Sequence, residues 1–393
     1  MTNKLYRNKK EILKEILDKL IPLIIAILLV FVEFPYYINA PGGIENLDKK
    51  VIIENEYDSK GSFNVVFISE YKANTIMMLY AYLNPNFDIY KKEEYLASNE
   101  TYEIMDYRNT LEMEEANDNA TVVAYQKAKE NIEINKTDLY VTYIYSEAIT
   151  DIEVKDKLIS IDDNTFNNKQ ELNNIIDSYN VGDIVSVKVV NNDKEYTRTA
   201  TIQGDDEDRY IGLYITQDID FNVERNIKFK VASNESGPSG GLMMALEIYN
   251  ELVAEDLTKG YTIAGTGTID INGDVGSIGG VKYKLKSAVK KKVKAFFVPD
   301  GENYEEAKKL KEITYINSNA YAAGLRRGDL IVSVNGNDIT RSADIEEVIA
   351  EMTVGETVVM TVNRDGTVTD FTFTLQEYIP VEGNWRSKSI LKI

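Results

Sequence analysis

The most apolar part of the chain lies near its N-terminus. Residues 20–32 read LIPLIIAILLVFV without a charge, and Glu33 is the only charged residue in the range 20–38. A helix over that range would be roughly 28 Å long, close to the thickness of the hydrocarbon core of a bilayer. The pattern therefore predicts a transmembrane helix over residues 20–38.

Basic residues are concentrated before this apolar stretch. Residues 1–19 contain six Lys and Arg against three Asp and Glu, whereas the whole chain has a net charge of −20. The positive-inside rule predicts that residues 1–19 are cytoplasmic and that the chain after the apolar stretch lies outside the cell. A signal peptide cleaved after Ala40 is the alternative, but Ile38 does not fit the small-residue pattern of such sites. An uncleaved anchor is favoured over a signal peptide and over a buried core helix.

Two later segments repeat one pattern at an offset of 173 residues, starting at Asp156 and at Asp329. Each reads as a short strand, a turn, an amphipathic helix, a Val-Gly-acidic turn and two alternating strands. In the second copy an Asp-Gly pair joins the two strands, which is a strong hairpin signal. The repeat predicts two related β-rich domains, over residues 131–206 and 311–380.

Between the repeats, residues 207–310 mix helical and strand patterns. Apolar residues recur at helical spacing and predict a helix from about Ser239 to about Ala254. An alternating strand at Tyr261–Ile271 follows, and a second helix begins after a Gly-Gly pair. These patterns predict an α+β domain.

Residues 44–130 give a weaker pattern. An alternating strand is predicted at Gly61–Tyr71 and a helix at Thr121–Glu130, with turns at the Asn/Asp-rich positions 118–120. This region is predicted to be a β-rich body associated with the first repeat, and it contains no candidate site.

Composition then narrows the chemistry. The chain has no Cys and no His, so thiol nucleophiles, disulfides, the usual zinc ligands and a Ser-His-Asp triad are all excluded. The acidic net charge argues against a nucleic-acid partner. A serine nucleophile would need a lysine, a carboxylate or the N-terminal amine as its base.

Ser239 is the candidate nucleophile. Gly237 and Pro238 precede it and Gly240 follows it, so it lies at the first turn of the predicted helix. Small neighbours allow a substrate backbone to approach, and the helix N-terminus can stabilise an oxyanion. On the residues alone, an ordinary helix N-cap is the more common role for such a serine.

Lys282 lies in the first turn of the second helix, where a positive potential can lower the pKa of a lysine. Helical position alone does not single it out. The same helix carries Lys284, Lys286 and Lys290–Lys292, most of which are expected on a solvated face.

Three segments resemble the proteolytic domain of the Lon family: GPSGGLMMALEIYNEL, YTIAGTGTIDINGDVGSIGGVKYKL and AFFVPDGENYEEA. The likeness is nearest to the membrane-anchored, PDZ-containing Lon-like proteases of Gram-positive bacteria. It implies a Ser239–Lys282 dyad with Thr266 nearby, and a supporting or oxyanion role for Gly237, Pro238 and Gly240. Gly240 stands where that family usually has alanine, and the domain is shorter than in its relatives.

Residues 322–336 (AAGLRRGDLIVSVNG) resemble PDZ domains of bacterial proteases, and the first repeat resembles them less closely. The likeness implies capture of extended peptides at a sheet edge. The second copy follows the catalytic unit so closely that little chain remains for its peptide-binding first strand. A structural β-domain without a ligand is the alternative for either copy.

Together these patterns predict an α+β chain with an N-terminal transmembrane helix, a β-rich and PDZ-like region, a Lon-type catalytic domain and a C-terminal PDZ-like domain. The expected function is an ATP-independent, membrane-anchored serine endopeptidase, because the sequence has no phosphate-binding loop. Its expected partners are peptides or unfolded exported proteins, the membrane and possible further copies of the chain, with no cofactor, metal, ATP or nucleic acid. A catalytically inactive, membrane-tethered PDZ scaffold is the alternative.

Overall fold

The protein is described by a computed structural model. It covers residues 9–205, 208–232, 235–309, 323–325, 329–339, 344–345, 348–349, 352–353, 355–364, 366–375 and 390–392.

The helices of this part of the chain are α1 (Lys9–Phe31), α2 (Thr75–Leu83), α3 (Lys92–Tyr95), α4 (Tyr102–Ala128), α5 (Lys169–Ile176), α6 (Gly241–Leu252), α7 (Val281–Lys290) and α8 (Glu302–Lys309). Short 3-10 helices lie at Leu47–Lys49 and Pro238–Gly240.

The strands up to the end of the first repeat are β1 (Glu33–Asn46), β2 (Val51–Ile53), β3 (Ser62–Asn74), β4 (Asp88–Lys91), β5 (Ile132–Ile144), β6 (Lys157–Ile161), β7 (Asn164–Thr165), β8 (Ile184–Asn191), β9 (Lys194–Thr201), β10 (Gln203–Gly204) and β11 (Arg209–Tyr210). The later strands are β12 (Leu213–Val223), β13 (Ile227–Phe229), β14 (Thr262–Gly265), β15 (Thr268–Ile269), β16 (Val275–Gly276), β17 (Ala295–Phe297), β18 (Leu330–Val334), β19 (Asn337–Asp338), β20 (Thr357–Arg364), β21 (Thr367–Thr374) and β22 (Ile390–Lys392).

The N-terminal apolar stretch differs from its prediction. Helix α1 starts within the charged segment and ends at Phe31, and residues 33–38 belong to strand β1 rather than to a helix. Within α1, the uncharged part is residues 20–31, which span roughly 18 Å at the helical rise per residue. In the part of the chain that the structure describes, no helix is both long and apolar enough to cross a membrane.

One of the two six-stranded sheets joins the N-terminal region to the predicted catalytic unit. Its strand order is β22-β17-β14-β3-β1-β4, and β14 runs parallel to both β3 and β17. Residues 62–65 of β3 pair with β14, so β1 and β3 belong to the sheet of the predicted catalytic unit, and the first repeat lies between β3 and β14 in the sequence. The region predicted as a β-rich body around the first repeat is therefore divided, since its helix α4 packs against β5 and β12 of that repeat.

Helix α4 also differs from the prediction, which gave turns at positions 118–120 and a helix only after them. The helix is continuous from Tyr102 to Ala128 and packs against α6. Its polar positions find partners in the tertiary structure: buried Asn119 donates through Nδ2 to the Ile269 carbonyl at 3.1 Å. An asparagine whose amide donates to a distant segment can remain inside a helix, whereas a local sequence reading assigns it to a turn.

The first repeat folds as predicted, around a five-strand path β12-β5-β6-β8-β9 with β7 beside β6. Its hairpin turns have left-handed residues at both central positions, at Asp162-Asp163 and at Asn192-Asp193. Strand β12 belongs to this sheet and lies beyond the predicted domain end at residue 206.

In the second repeat, β20 and β21 pair from Thr357↔Thr374 to Arg364↔Thr367, which confirms the predicted hairpin. Its sheet has the order β19-β18-β20-β21 around a separate apolar core. Its peptide-binding first strand would have to come from residues 310–322, which lie outside the described residues.

Candidate active site

Ser239 lies in a tight turn directly before α6. Gly237 adopts φ +94°, which favours glycine, and its N–H donates to the Asn109 carbonyl of α4 at 2.8 Å. Pro238–Gly240 then forms one 3-10 turn, and the α-helix starts at Gly241, two residues later than predicted. Gly237 and the three residues that follow it therefore lie in one turn, in which Ser239 is half-buried.

The backbone of this turn is held by the loop that follows β14. The Ser239 carbonyl accepts hydrogen bonds from Thr266 Oγ1 at 2.9 Å and from the Gly267 N–H at 2.8 Å. The Leu242 N–H in turn donates to the Gly267 carbonyl at 3.0 Å. Three hydrogen bonds thus fix the orientation of the first turn of α6 relative to the central sheet.

Lys284 lies on the other side of Thr266. Its Nζ donates to Thr266 Oγ1 at 3.1 Å, and both side chains are buried. Burial lowers the pKa of Lys284 to about 8, with only a small opposing effect from Glu70. A buried lysine whose hydrogen-bond partner is a neutral hydroxyl readily loses its proton, so it can act as a base.

Lys282 does not lie at this site. It forms an ion pair with Asp88 of β4, and its side chain is 37% exposed. The base proposed below is therefore Lys284 rather than Lys282, because Lys284 contacts Thr266 whereas Lys282 contacts Asp88. Lys284 is also buried, so it is not one of the lysines that lie on the solvated face of α7.

Helical spacing is the signal that distinguishes the two lysines. Val281, Leu285 and Ala288 are fully buried, and Lys284 completes the i, i+3, i+4, i+7 pattern of this inward face. Lys282 follows Val281 directly and points about 100° away around the helix. Periodicity within α7 would have selected Lys284.

Comparisons with known proteins identify two domain families in the chain. Residues 215–319 match the family model of the Lon protease (S16) C-terminal proteolytic domain, and residues 306–375 match that of the PDZ domain. The chain contains a Lon-type proteolytic domain and a PDZ domain.

One similar solved structure is the PDZ domain of an SdrC-like protein from Listeria monocytogenes. It is 24% identical, and the match covers 20% of this chain and 85% of that chain with a TM-score of 0.18. No curated protein matches the chain. The Lon-type match includes Ser239, Thr266 and Lys284, and the PDZ match covers the second repeat.

Proposed function

We propose that this Lon-like chain is an ATP-independent serine endopeptidase with Ser239 as nucleophile and Lys284 as base. The observation that carries the proposal is the buried Lys284 ammonium, joined through the Thr266 hydroxyl to the turn that presents Ser239. The absence of histidine from the sequence supports it, because the usual base of a serine protease is then excluded. A lysine with a lowered pKa, such as Lys284, can take that role.

In the proposed reaction, neutral Lys284 accepts the proton of the Ser239 hydroxyl as the serine oxygen attacks the scissile carbonyl. The resulting ammonium returns the proton to the leaving amine, and a water molecule then releases the acyl group from Ser239. The positive N-terminal end of the α6 dipole would favour the negative oxygen of the intermediate. Thr266 would position the base by bonding both Lys284 Nζ and the Ser239 carbonyl.

A cleft of about 360 Å³ lies between α4 and the segment that leads to Ser239. Its lining includes Met113 and Asn117 of α4 together with Phe229, Val231 and Ala232. The cleft is large enough for a few side chains of an extended peptide. Substrates without stable structure are expected, since the sequence contains no ATPase motif that could drive unfolding.

Peptide capture is assigned to the second, C-terminal PDZ domain rather than to the first repeat. In the first repeat, β12 is at the end of the sheet, but α4 covers part of its edge. Glu115 and Asp118 accept hydrogen bonds from the N–H groups of Gln217 and Ile219 at 3.4 and 3.1 Å. An added peptide strand would have to displace these carboxylates.

A location outside the cell membrane stays a prediction. It rests on the basic residues 1–19 and on the apolar residues 20–32 that follow them. Accessibility of the catalytic domain to an added protease in intact cells would test it: degradation only after lysis would contradict an outside location.

The enzymatic proposal is tested by incubating the chain with casein in the absence of ATP, beside its Ser239→Ala variant. Cleavage by the parent and at least about 10³-fold less cleavage by the variant are expected. A serine-directed fluorophosphonate probe should label the parent and not the variant. A folded parent that neither cleaves nor labels would instead support the inactive PDZ scaffold.

The PDZ assignment is tested with Val362→Asp, which places a charge in the core of the second PDZ domain, where Val362 is fully buried. Casein cleavage should fall several-fold, while cleavage of a short fluorogenic peptide should be unchanged. Equal rates on casein in parent and variant would remove the PDZ domain from substrate capture.

A further inference from the structure

The C-terminal half of α6 carries a group of acidic side chains that the proposed reaction does not use. Glu247 and Glu251 are one helical turn apart, and both face the 3-10 turn at Leu47–Lys49 that follows β1. One carboxylate oxygen from each of Asp48, Glu247 and Glu251 lies within 4.8 Å of the other two. Three carboxylates from two separate segments therefore converge on one point.

Two of these carboxylates are almost completely buried. Glu247 is 2% exposed and Glu251 is 3% exposed. Glu247 Oε2 and both carboxylate oxygens of Glu251 accept no hydrogen bond from any residue that the structure describes. Because a buried carboxylate without a donor is strongly unfavourable in water-free surroundings, these oxygens require a positively charged or proton-donating partner.

The neighbouring charges do not supply that partner. Glu56 and Asp256 add further negative potential at Glu247. Arg225 is the cation that acts on Glu251, but its guanidinium donates to the carbonyls of Glu54, Asn55, Glu251 and Leu252 and to the Glu130 carboxylate. Burial, and then the adjacent carboxylates, raise the pKa of Glu247 to about 8 and that of Glu251 to about 9.

We propose that Asp48, Glu247 and Glu251 form a binding site for a divalent cation, with Ca²⁺ preferred. Three carboxylates provide only oxygen ligands, which suit hard cations, and the sequence has no Cys or His to favour zinc. Ca²⁺ is preferred over Mg²⁺ because Mg²⁺ gives up its water ligands reluctantly, and two of the three carboxylates lie in a water-poor site. Asp48 is exposed, so a cation can enter from its side.

A bound cation would join α6 to the segment between β1 and β2. Because Ser239 lies at the other end of α6, the cation would stabilise the helix that presents the nucleophile. The site itself is independent of the proposed peptidase activity, so its test measures binding and stability and does not depend on proteolysis.

The experiment uses the full chain after treatment with EDTA and removal of the chelator. Thermal unfolding is measured with added Ca²⁺, Mg²⁺ or Mn²⁺, and binding is measured by tyrosine-sensitised Tb³⁺ luminescence with Ca²⁺ as competitor. Saturating Ca²⁺ should raise the melting temperature of the catalytic domain by about 5 °C, and Mg²⁺ should raise it less.

Glu251→Gln should weaken Tb³⁺ and Ca²⁺ binding by at least about tenfold and should abolish the Ca²⁺-dependent rise in melting temperature. Glu255→Gln is the matched control, since Glu255 is exposed and lies four residues after Glu251, beyond the end of α6. It should bind and melt like the parent.

Two results would overturn the proposal. One is a melting temperature unaffected by all three cations together with no Tb³⁺ signal that Glu251→Gln removes. The other is a stability that changes with pH but not with any cation, which would show that Glu247 and Glu251 share a proton instead.

Discussion

The two ends of α6 place buried charges of opposite sign in similar surroundings. Near the N-terminal end, Lys284 is a buried cation whose partner is the neutral hydroxyl of Thr266. Near the C-terminal end, Glu247 and Glu251 are buried anions in contact with further acidic groups. Burial lowers the pKa of the lysine and raises that of both carboxyls, because in each case it disfavours the charged form.

The two ends of α6 differ in what offsets the free-energy cost of burying a charged group. A single lysine is relieved by losing its proton, which produces a base beside Ser239. Paired carboxyls are relieved either by protons or, as we propose, by a cation that binds them together. Burial of ionisable groups therefore underlies both proposals: it favours a neutral lysine near Ser239 and a bound cation at Glu247 and Glu251.

The largest expected effect comes from replacing each of the two lysines of α7, Lys284 and Lys282, by glutamine in turn. Lys284→Gln should reduce kcat/KM for casein by about 10³-fold, because it removes the base. Lys282→Gln is the matched control on the same helix and should change kcat/KM by less than about threefold, since it only breaks a partly exposed ion pair with Asp88. Loss of activity in Lys282→Gln alone would restore the assignment made from sequence.

The next effect is on the pH dependence of the reaction. With the pKa of Lys284 at about 8, kcat/KM should rise about tenfold per pH unit up to pH 8 and then level off. The measurement is kcat/KM for a short peptide between pH 6 and pH 10. A flat profile below pH 8 would argue against Lys284 as the base.

The free energy of unfolding should also depend on pH through Lys284, and it should increase as the pH rises. Unfolded lysine titrates near pH 10.4, so between about pH 8 and pH 10.4 the unfolded chain binds more protons than the folded one. The Lys284 contribution to the free energy of unfolding should therefore increase by about 3 kcal/mol across that window. In Lys284→Gln this increase should be absent, as measured by denaturant unfolding at each pH.

A smaller effect is expected at Thr266. Thr266→Val removes the hydroxyl that joins Lys284 to the Ser239 carbonyl and should lower kcat/KM by about tenfold through misplacement of the base. Thr266→Ser retains the hydroxyl and should recover most of the activity. Equal rates in Thr266→Val and the parent would show that the remaining hydrogen bond from Gly267 is sufficient.

The smallest expected effect is on the melting temperature, after substitution of Glu251 at the C-terminal end of α6. At pH 7 in the presence of EDTA, Glu251→Gln should leave the melting temperature close to that of the parent, because a carboxyl with a pKa of about 9 is already neutral and the amide has a similar size. Circular dichroism melting beside Glu255→Gln provides the comparison. A lower melting temperature of Glu251→Gln in EDTA would mean that the carboxylate is stabilised by a partner other than a cation.

Much of the local structure could be predicted from the sequence. The hairpin of the second repeat follows from an Asp-Gly pair, and the turn at Ser239 follows from the flanking glycines and proline. Gly237 requires a left-handed conformation, which neighbouring residues alone can specify. The absence of histidine likewise restricted the candidate bases without any structure.

The tertiary structure decided which lysine is buried and where the N-terminal region belongs. Lys282 and Lys284 have almost the same local sequence, and only the packing of α7 on β1 and β3 gives them opposite environments. The pairing of β3 with β14 joins residues about 200 positions apart in the sequence, which no local pattern encodes. Turns depend on the conformational preferences of adjacent residues, whereas burial and strand pairing depend on contacts between distant segments. For that reason the turn at Ser239 could be predicted from neighbouring residues, whereas helical periodicity only indicates an inward face for Lys284 and its burial depends on the packing of α7.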